Sequence, residues 1–390
     1  MKNKPKLIRI TTVPISLEKL LENQLRFMKN FFEVIAVSSD DQRLQLFGKE
    51  QGVDTFHVDL TRKITPIKDL KAVFKLYKFL KKEKPSIVHT HTPKAGIVGM
   101  LAARFANVPI RMHTVAGLPL MESSGMKRSV LNIVEKLTYS CATNVYPNSK
   151  GLKEFIIKEK LTSKNKLKIL GNGSSNGIDT IHFSPSQVSD FEKRQLRTNL
   201  NITKNDFVFV FVGRLVGDKG INELVQAFTK MSKTHTNSKL LLVGPLETDL
   251  APLLPNTLNE IKMNDAIIYT GFQTDVRPYL AISDVLVFPS YREGFPNVVM
   301  QAGAMGLPSI VTDINGCNEI IQSDVNGIII PVKDVQAIYD AMEKLVNDKS
   351  YYNKLQDKSR PLIVKNYSQS DLWNALFMEY NRLIELHINV

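Results

Sequence analysis

Apolar residues fall along this chain in short runs separated by longer segments with helical spacing. Lys6–Thr11 reads as a strand, and Leu17–Asn30 as a helix in which Leu20, Leu21, Leu25 and Met28 share a face. Phe32–Val37 and Val53–Val58 are read as strands. Ser86–His89 and Ile110–His113 each follow a helix, and Asn144–Tyr146 closes the series. The pattern then restarts with the unbroken apolar run Phe207–Val212 and the helix Ile221–Met231. Leu240–Pro245, Ile267–Phe272, Asp284–Pro289, Ser309–Val311 and Asn326–Ile330 supply further strands. Continuous apolar runs suit parallel strands buried on both faces, and their alternation with helices implies βαβ units. The expected class is α/β, in two Rossmann-like halves. Residues 183–205 are polar and turn-rich, which places a boundary between domains 1–183 and 184–369. The last helix, Ser370–His387, carries the single tryptophan, Trp373.

Charge changes this picture more than composition does. The chain of 390 residues has a formal charge of +13, yet residues 1–190 carry +15 and the remainder −2. A basic half joined to a near-neutral one points to a polyanion or an anionic membrane face as partner of the first. The helix Ile67–Lys84 concentrates this charge. Lys68, Lys71, Lys75, Lys78 and Lys82 share one face, with Leu70, Val73, Phe74, Tyr77 and Leu80 on the opposite one. Such a face is either merely solvated or in contact with anionic headgroups, and the charge of the whole domain favours lipid. Nucleic acid is not expected, since no binding module is present and no aromatics interleave with the lysines. The apolar tip Leu118–Met126, beside Lys127 and Arg128, suits either a membrane interface or a packed loop. Met1–Lys6 is basic, but the apolar run after it is short and broken by Arg9, as in a first strand and not a signal peptide. Nowhere is an apolar run long enough to span a bilayer. The two cysteines, Cys141 and Cys317, have no metal-ligand spacing and imply a reducing compartment.

Candidate chemistry clusters at strand-to-helix turns. In Ser290–Pro308, Glu293 follows a strand, Pro296 is set for the first helical position, Gly306 suits a left-handed cap and Pro308 stops the helix. That puts a carboxylate at the carboxyl end of a strand, beside the positive end of a helix dipole. Gly213–Gly220 places Arg214 and Lys219 in a similar turn, as a diphosphate cradle. In the first half, His89 and His91 lie on one side of a strand without a third ligand nearby, so no metal site is expected there. Lys94 is the better phosphate holder, and His113 is read at a strand terminus facing the cleft. Gly171–Asp179 is a glycine-dense polar loop suited to close backbone approach to a ligand.

Ser290–Pro308 resembles the signature of the family 4 retaining glycosyltransferases, in which two glutamates contact a nucleotide-sugar donor. Glu293 fills the first position, but Gln301 stands at the second and keeps an acceptor oxygen without the charge. Gly213–Gly220 resembles the family's phosphate element, and His113 matches a histidine set against the donor sugar. Asn176–Asp179 resembles an Asn-Gly-Val-Asp turn at the domain cleft. The loop Thr12–Ser16 departs from the family, which often has glycines there. The resemblance implies a GT-B fold, two Rossmann-like βαβ domains facing across a cleft, with the helix 370–390 packing back on the first. It implies catalytic His113, Glu293, Arg214 and Lys219. Donor contacts would come from Gly213, Arg214, Lys219, Asn176, Gly271 and Phe272, and from Glu293, Gly294, Phe295, Pro296, Asn297 and Gln301. Thr12, His91 and Lys94 would meet the acceptor. No metal or other cofactor is expected, because fixed cations would stabilise the leaving diphosphate.

The function so implied is retaining transfer of a sugar from a nucleotide-diphosphate sugar, foremost a UDP-sugar. The acceptor would be a membrane-held polyprenyl-diphosphate-linked sugar in bacterial capsule or O-antigen synthesis. The protein would be cytoplasmic and peripheral at the inner face of the plasma membrane. A soluble acceptor, or a nucleotide-sugar binder without turnover, is the alternative.

Overall fold

The apolar runs of the first half become parallel strands β1 (Lys6–Ile10), β2 (Glu33–Ser38), β3 (Asp54–His57), β4 (Ile87–His91), β5 (Ile110–Val115) and β6 (Asn144–Pro147), in the order β3-β2-β1-β4-β5-β6. The structure is a computed structural model describing residues 4–61, 65–248 and 251–388. Met1–Asn3, where the basic N-terminal run starts, and the last two residues of the expected 370–390 tail lie outside them. Alternation along the strands divides the core into two layers. Ile8, Ile10, Ile35, Val37 and Val88 meet Ala72, Val73, Leu76 and Leu80 of the helix Pro66–Glu83 on one face. Leu7, Val34, Ala36 and Ile87 meet Leu17 and Leu25 on the other, together with Leu376, Tyr380 and Leu383 of the helix Gln369–His387.

The second half repeats the plan with β7 (Phe207–Val212), β8 (Ser238–Val243), β9 (Ile267–Gly271), β10 (Val285–Phe288), β11 (Ser309–Thr312) and β12 (Gly327–Ile330). Their order, β12-β11-β10-β7-β8-β9, read from β9 is that of the first sheet. All pairings are again parallel, and one apolar core runs through the unit.

The chain divides into two compact units, Met1–Asn176 with Ser370–Val390, and Gly177–Gln369. The division falls before the turn-rich stretch that suggested a boundary at 183. The reason is local: Ile178 already pairs with Ser368, and Phe183 is part of the second core. Two further expectations change, and the open reading of the tip 118–126 divides between its two alternatives. The helix 17–30 is two pieces, Pro14–Leu20 and Gln24–Met28, separated where Asn23 takes a left-handed φ of 56°. Pro296 is the residue before the helix Asn297–Ala304 and not its first member. In the tip 118–126, Leu118 and Leu120 are buried in the first core, while Met121 and Met126 remain exposed.

Candidate active site

In an open parallel sheet, ligands bind at the carboxyl ends of neighbouring strands whose chains depart in opposite directions. In the second unit those strands are β7 and β10, and the loops leaving them carry Lys219 and Glu293. Gly220 makes their meeting possible. It has φ 72°, and a Cβ there would lie 2.1 Å from the carbonyl oxygen of Pro289, so the two backbones touch. The contact is stitched by Tyr291 N–H donating to Asp218 O at 3.0 Å, by Arg292 paired with Asp218 at 2.6 Å, and by Tyr291 Oη donating to Glu223 at 2.7 Å. Lys219 Nζ is thereby ion-paired with Glu293 Oε1, both side chains remaining partly exposed. Arg214, on the same loop, is nearly half-exposed and paired with Glu247 at 2.7 Å.

The flanks of this pair are also fixed by the backbone. A Cβ on Gly244 would lie 1.8 Å from Gly213 O, and Gly244 N–H donates to Gly271 O at 2.8 Å, which gathers the ends of β7, β8 and β9. Phe272 follows beside them, 69% exposed as a residue. Asn315 Nδ2 donates to the carbonyls of Glu293 at 3.2 Å and Gly294 at 2.6 Å. The helix Asn297–Ala304 starts immediately after this loop, so its first backbone N–H groups form a positive end beside Glu293. Asn297 is exposed and Gln301 half-buried one turn on. Phe295 and Pro296 differ from expectation. Both are buried, and the Phe295 ring sits 5.6 Å from that of Tyr367, so they anchor the loop and offer no side-chain surface to a donor.

The first unit has its equivalent point between β1 and β4, and there the expected acceptor residues are closed in. Thr12 Oγ1 and Thr92 Oγ1 are hydrogen-bonded at 2.7 Å. Fully buried Arg9 donates to Tyr380 Oη at 2.6 Å, Gln24 Oε1 at 2.8 Å and His91 Nε2 at 2.6 Å. His89 joins through Tyr380 Oη at 2.7 Å and Thr114 Oγ1 at 2.8 Å. Burial first, and then the Arg9 charge, hold both imidazoles well below their usual pKa. Lys94 is paired with Asp69 at 2.5 Å. Asn176 belongs to this network and not to the cradle of the second unit. Its side-chain oxygen accepts from Gln24 at 3.0 Å and Trp373 Nε1 at 2.7 Å, and its Nδ2 donates to Glu22 O.

His113 is likewise enclosed. Strand β5 continues to Val115, so His113 lies inside it and turns toward the helix Pro93–Phe105. Its Nδ1 meets Thr90 Oγ1 at 2.8 Å, and a Cβ on Gly96 would lie 2.5 Å from its Cε1. Burial pushes its pKa down to about 4. An enclosed neutral ring fixed by strand–helix packing is a core residue, which corrects the expectation that it faces a cleft.

Two kinds of participant escaped the sequence. Gly244 was readable in principle, as a Gly-Pro ending an apolar run, whereas Asn315 had no local signal. Arg9, a charge inside an otherwise apolar strand, was the visible sign of the Arg9–Tyr380 network. Among the described residues no three His, Cys, Asp or Glu side chains gather as a metal-holding group.

Residues 26–173 match the family described as "Glycosyl transferase 4-like domain" and residues 192–361 that described as "Glycosyl transferases group 1". The chain is 35% identical to the capsular polysaccharide biosynthesis glycosyltransferase CapM of Staphylococcus aureus, over 99% of both chains. It is 31% identical to the UDP-Gal:alpha-D-GlcNAc-diphosphoundecaprenol alpha-1,3-galactosyltransferase of Escherichia coli, over 92% of this chain and 94% of that one. A solved glycosyltransferase from Rickettsia africae shares the fold with a TM-score of 0.82 at 18% identity, over 98% of this chain and 99% of that one.

Proposed function

We propose that this chain, which belongs to the family 4-like glycosyltransferases of GT-B fold, moves a sugar from a UDP-sugar to a polyprenyl-diphosphate-linked sugar in bacterial surface polysaccharide synthesis. The observation that carries this is the meeting of Lys219 and Glu293, with Arg214 on the same loop, at the point where β7 and β10 diverge. Breaking the bond between the anomeric carbon and the diphosphate builds negative charge on the leaving oxygen. Lys219, Arg214 and the N–H groups opening the helix Asn297–Ala304 are a fixed positive field for that charge, a device that typically contributes several kcal/mol. Diphosphate exchanges with the carboxylates of Glu293 and Glu247 at the two cations, and Glu293 then accepts hydrogen bonds from the sugar hydroxyls. Because protein cations supply the charge, turnover needs no metal. Gln301 accepts from the ribose, and exposed Phe272 lies against the base. Configuration is retained, with the leaving phosphate oxygen taking the acceptor's proton. Buried Thr12, His91, Asn176 and His113 have no step in this transfer. Lys94, part-exposed and paired with Asp69 as Lys219 is with Glu293, keeps the acceptor-phosphate role.

The E. coli relative supports both substrates, as its name specifies UDP-Gal and a diphosphoundecaprenol acceptor. The +15 charge of residues 1–190 supports a protein peripheral at the cytoplasmic face of an anionic membrane. The test is transfer from a panel of UDP-, GDP- and ADP-sugars, with and without a polyprenyl-diphosphate-sugar acceptor, in EDTA. UDP release that rises with the lipid acceptor and survives EDTA is expected. Donor binding without turnover would make Gln301 the mark of a binder. No binding of any donor would sink the cradle.

A further inference from the structure

We propose that the outer surface of the helix layer covering one face of the first sheet docks flat on an anionic bilayer, with two exposed apolar stripes entering the interface. The proposal rests on the reading above, in which the acceptor is held in a membrane. The layer consists of the helices Pro66–Glu83, Pro93–Phe105 and Gly125–Cys141, the middle one packed against both others.

Each outer helix has an apolar face that nothing in its unit covers. On Pro66–Glu83 the buried residues are Ala72, Val73, Leu76 and Leu80, and they do not include all the apolar positions. Leu70 and Phe74, grouped with the buried side by the sequence pattern, are 71% and 56% exposed, and Ile67 is 76% exposed. These three recur at three- and four-residue spacing nearly opposite the core. On Gly125–Cys141 the stripe is longer. Met126, Val130, Ile133 and Leu137 follow one another at four-, three- and four-residue steps, with Met126 85% and Ile133 66% exposed. An isolated exposed leucine needs no explanation, but two continuous stripes in one helix layer do.

Charge identifies the occupant. Lys68, Lys71, Lys75 and Lys78 border the first stripe, and Lys127 and Lys136 flank the second, all exposed. Lys78 Nζ lies 4.4 Å from the centroid of the Phe74 ring, so the ammonium and the apolar stripe share one surface. The acids of the two outer helices are all withdrawn from it. Asp69 is paired with Lys94, Glu83 with Lys6 at 2.6 Å, and Glu135 is buried. What solvent meets on these helices is apolar and cationic, the composition of a helix lying in an interface among anionic headgroups. A second copy of this surface would have to bring acidic complementarity, which these helices lack.

The test uses the full chain with vesicles of phosphatidylglycerol and phosphatidylcholine, compared with phosphatidylcholine alone. Salt-sensitive sedimentation with the anionic vesicles is expected. It should fall at least tenfold in V130D/I133D and in L70D/F74D, and less in the triple Lys71, Lys75, Lys78→Gln variant. These positions face solvent, so thermal midpoints should match the unaltered chain. Turnover of a short, water-soluble polyprenyl-diphosphate-sugar analogue should also be unchanged, while turnover of the vesicle-embedded acceptor falls with binding. Full vesicle binding by both Asp variants would overturn the proposal, as would a dimer in solution that these substitutions dissociate. Failure of the functional reading has a different signature, since neither acceptor would then turn over even where the vesicle result stands.

Discussion

At the carboxyl ends of β1 and β4 the first unit holds a buried cation, Arg9, among Tyr380, Gln24, His91 and His89, all sealed from solvent. At the carboxyl ends of β7 and β10, the same place in the same strand order, the second unit holds Lys219 and Glu293 partly open, on glycine-bearing loops. The difference teaches what topology does and does not set. A switch point gathers polar side chains in both sheets, because the strands end there with backbone groups to satisfy. Whether it binds anything depends on what closes over it. The tail helix Gln369–His387 supplies Tyr380 to the first, where neighbours satisfy most of the buried polar atoms, which would otherwise cost several kcal/mol. Only Arg9 Nε and His91 Nδ1 of this group stay without a partner. The second is left with charges that a ligand can claim, and exposure keeps the pairing of Lys219 with Glu293 replaceable.

If the open site is the chemical one, Lys219→Ala should break it most severely. Transfer should fall about 100- to 1,000-fold, the usual loss for a fixed group facing developing charge, while the thermal midpoint barely moves. A variant retaining a third of its activity would remove Lys219 from the mechanism. The closed side should instead answer to pH. His113 titrates near 6.5 when unfolded and near 4 when folded, so below pH 6.5 the unfolded chain binds a proton that the folded chain refuses. Stability should therefore fall between pH 6.5 and about 4, by about 3 kcal/mol from this residue. Denaturant midpoints across that range should slope less steeply in His113→Gln, and equal slopes would contradict the burial argument. Arg9→Met sharpens the contrast with a smaller effect. It leaves Gln24 Oε1 and His91 Nε2 without their donor but relieves a buried charge, for a net loss of about 2 kcal/mol. The donor KM should be unchanged in Arg9→Met, and a changed KM would link the network to the donor site. Gln301→Glu should matter least, with UDP-sugar affinity within about threefold of the parent, as either side chain presents an oxygen to a hydroxyl. A tenfold loss by calorimetry would show that the neutral amide is required.

The runs Phe207–Val212 and Val285–Phe288 made the α/β class readable, because strands buried on both faces are apolar nearly throughout; in Leu7–Ile10 only Arg9 breaks the run. The turns of Gly213–Gly220 and Glu293–Asn297 were readable too. Close backbone approach needs glycine, and proline is favoured at or beside a helix start because its fixed φ suits the turn there. Those constraints act within a few residues, so the strands, most helices, the charged turn residues and the excess of lysine in the first half were legible locally, while the break of 17–30 at Asn23 was not. Tertiary structure decided the rest. It turned His113 into the core, enclosed His91 with Arg9, drew Asn176 into the first unit and exposed Leu70 and Phe74. In each case the decision depends on which distant segment packs against the residue: Gly96 on His113, Tyr380 on Arg9, Trp373 on Asn176. Helical periodicity can locate an apolar stripe, but only packing shows whether anything covers it.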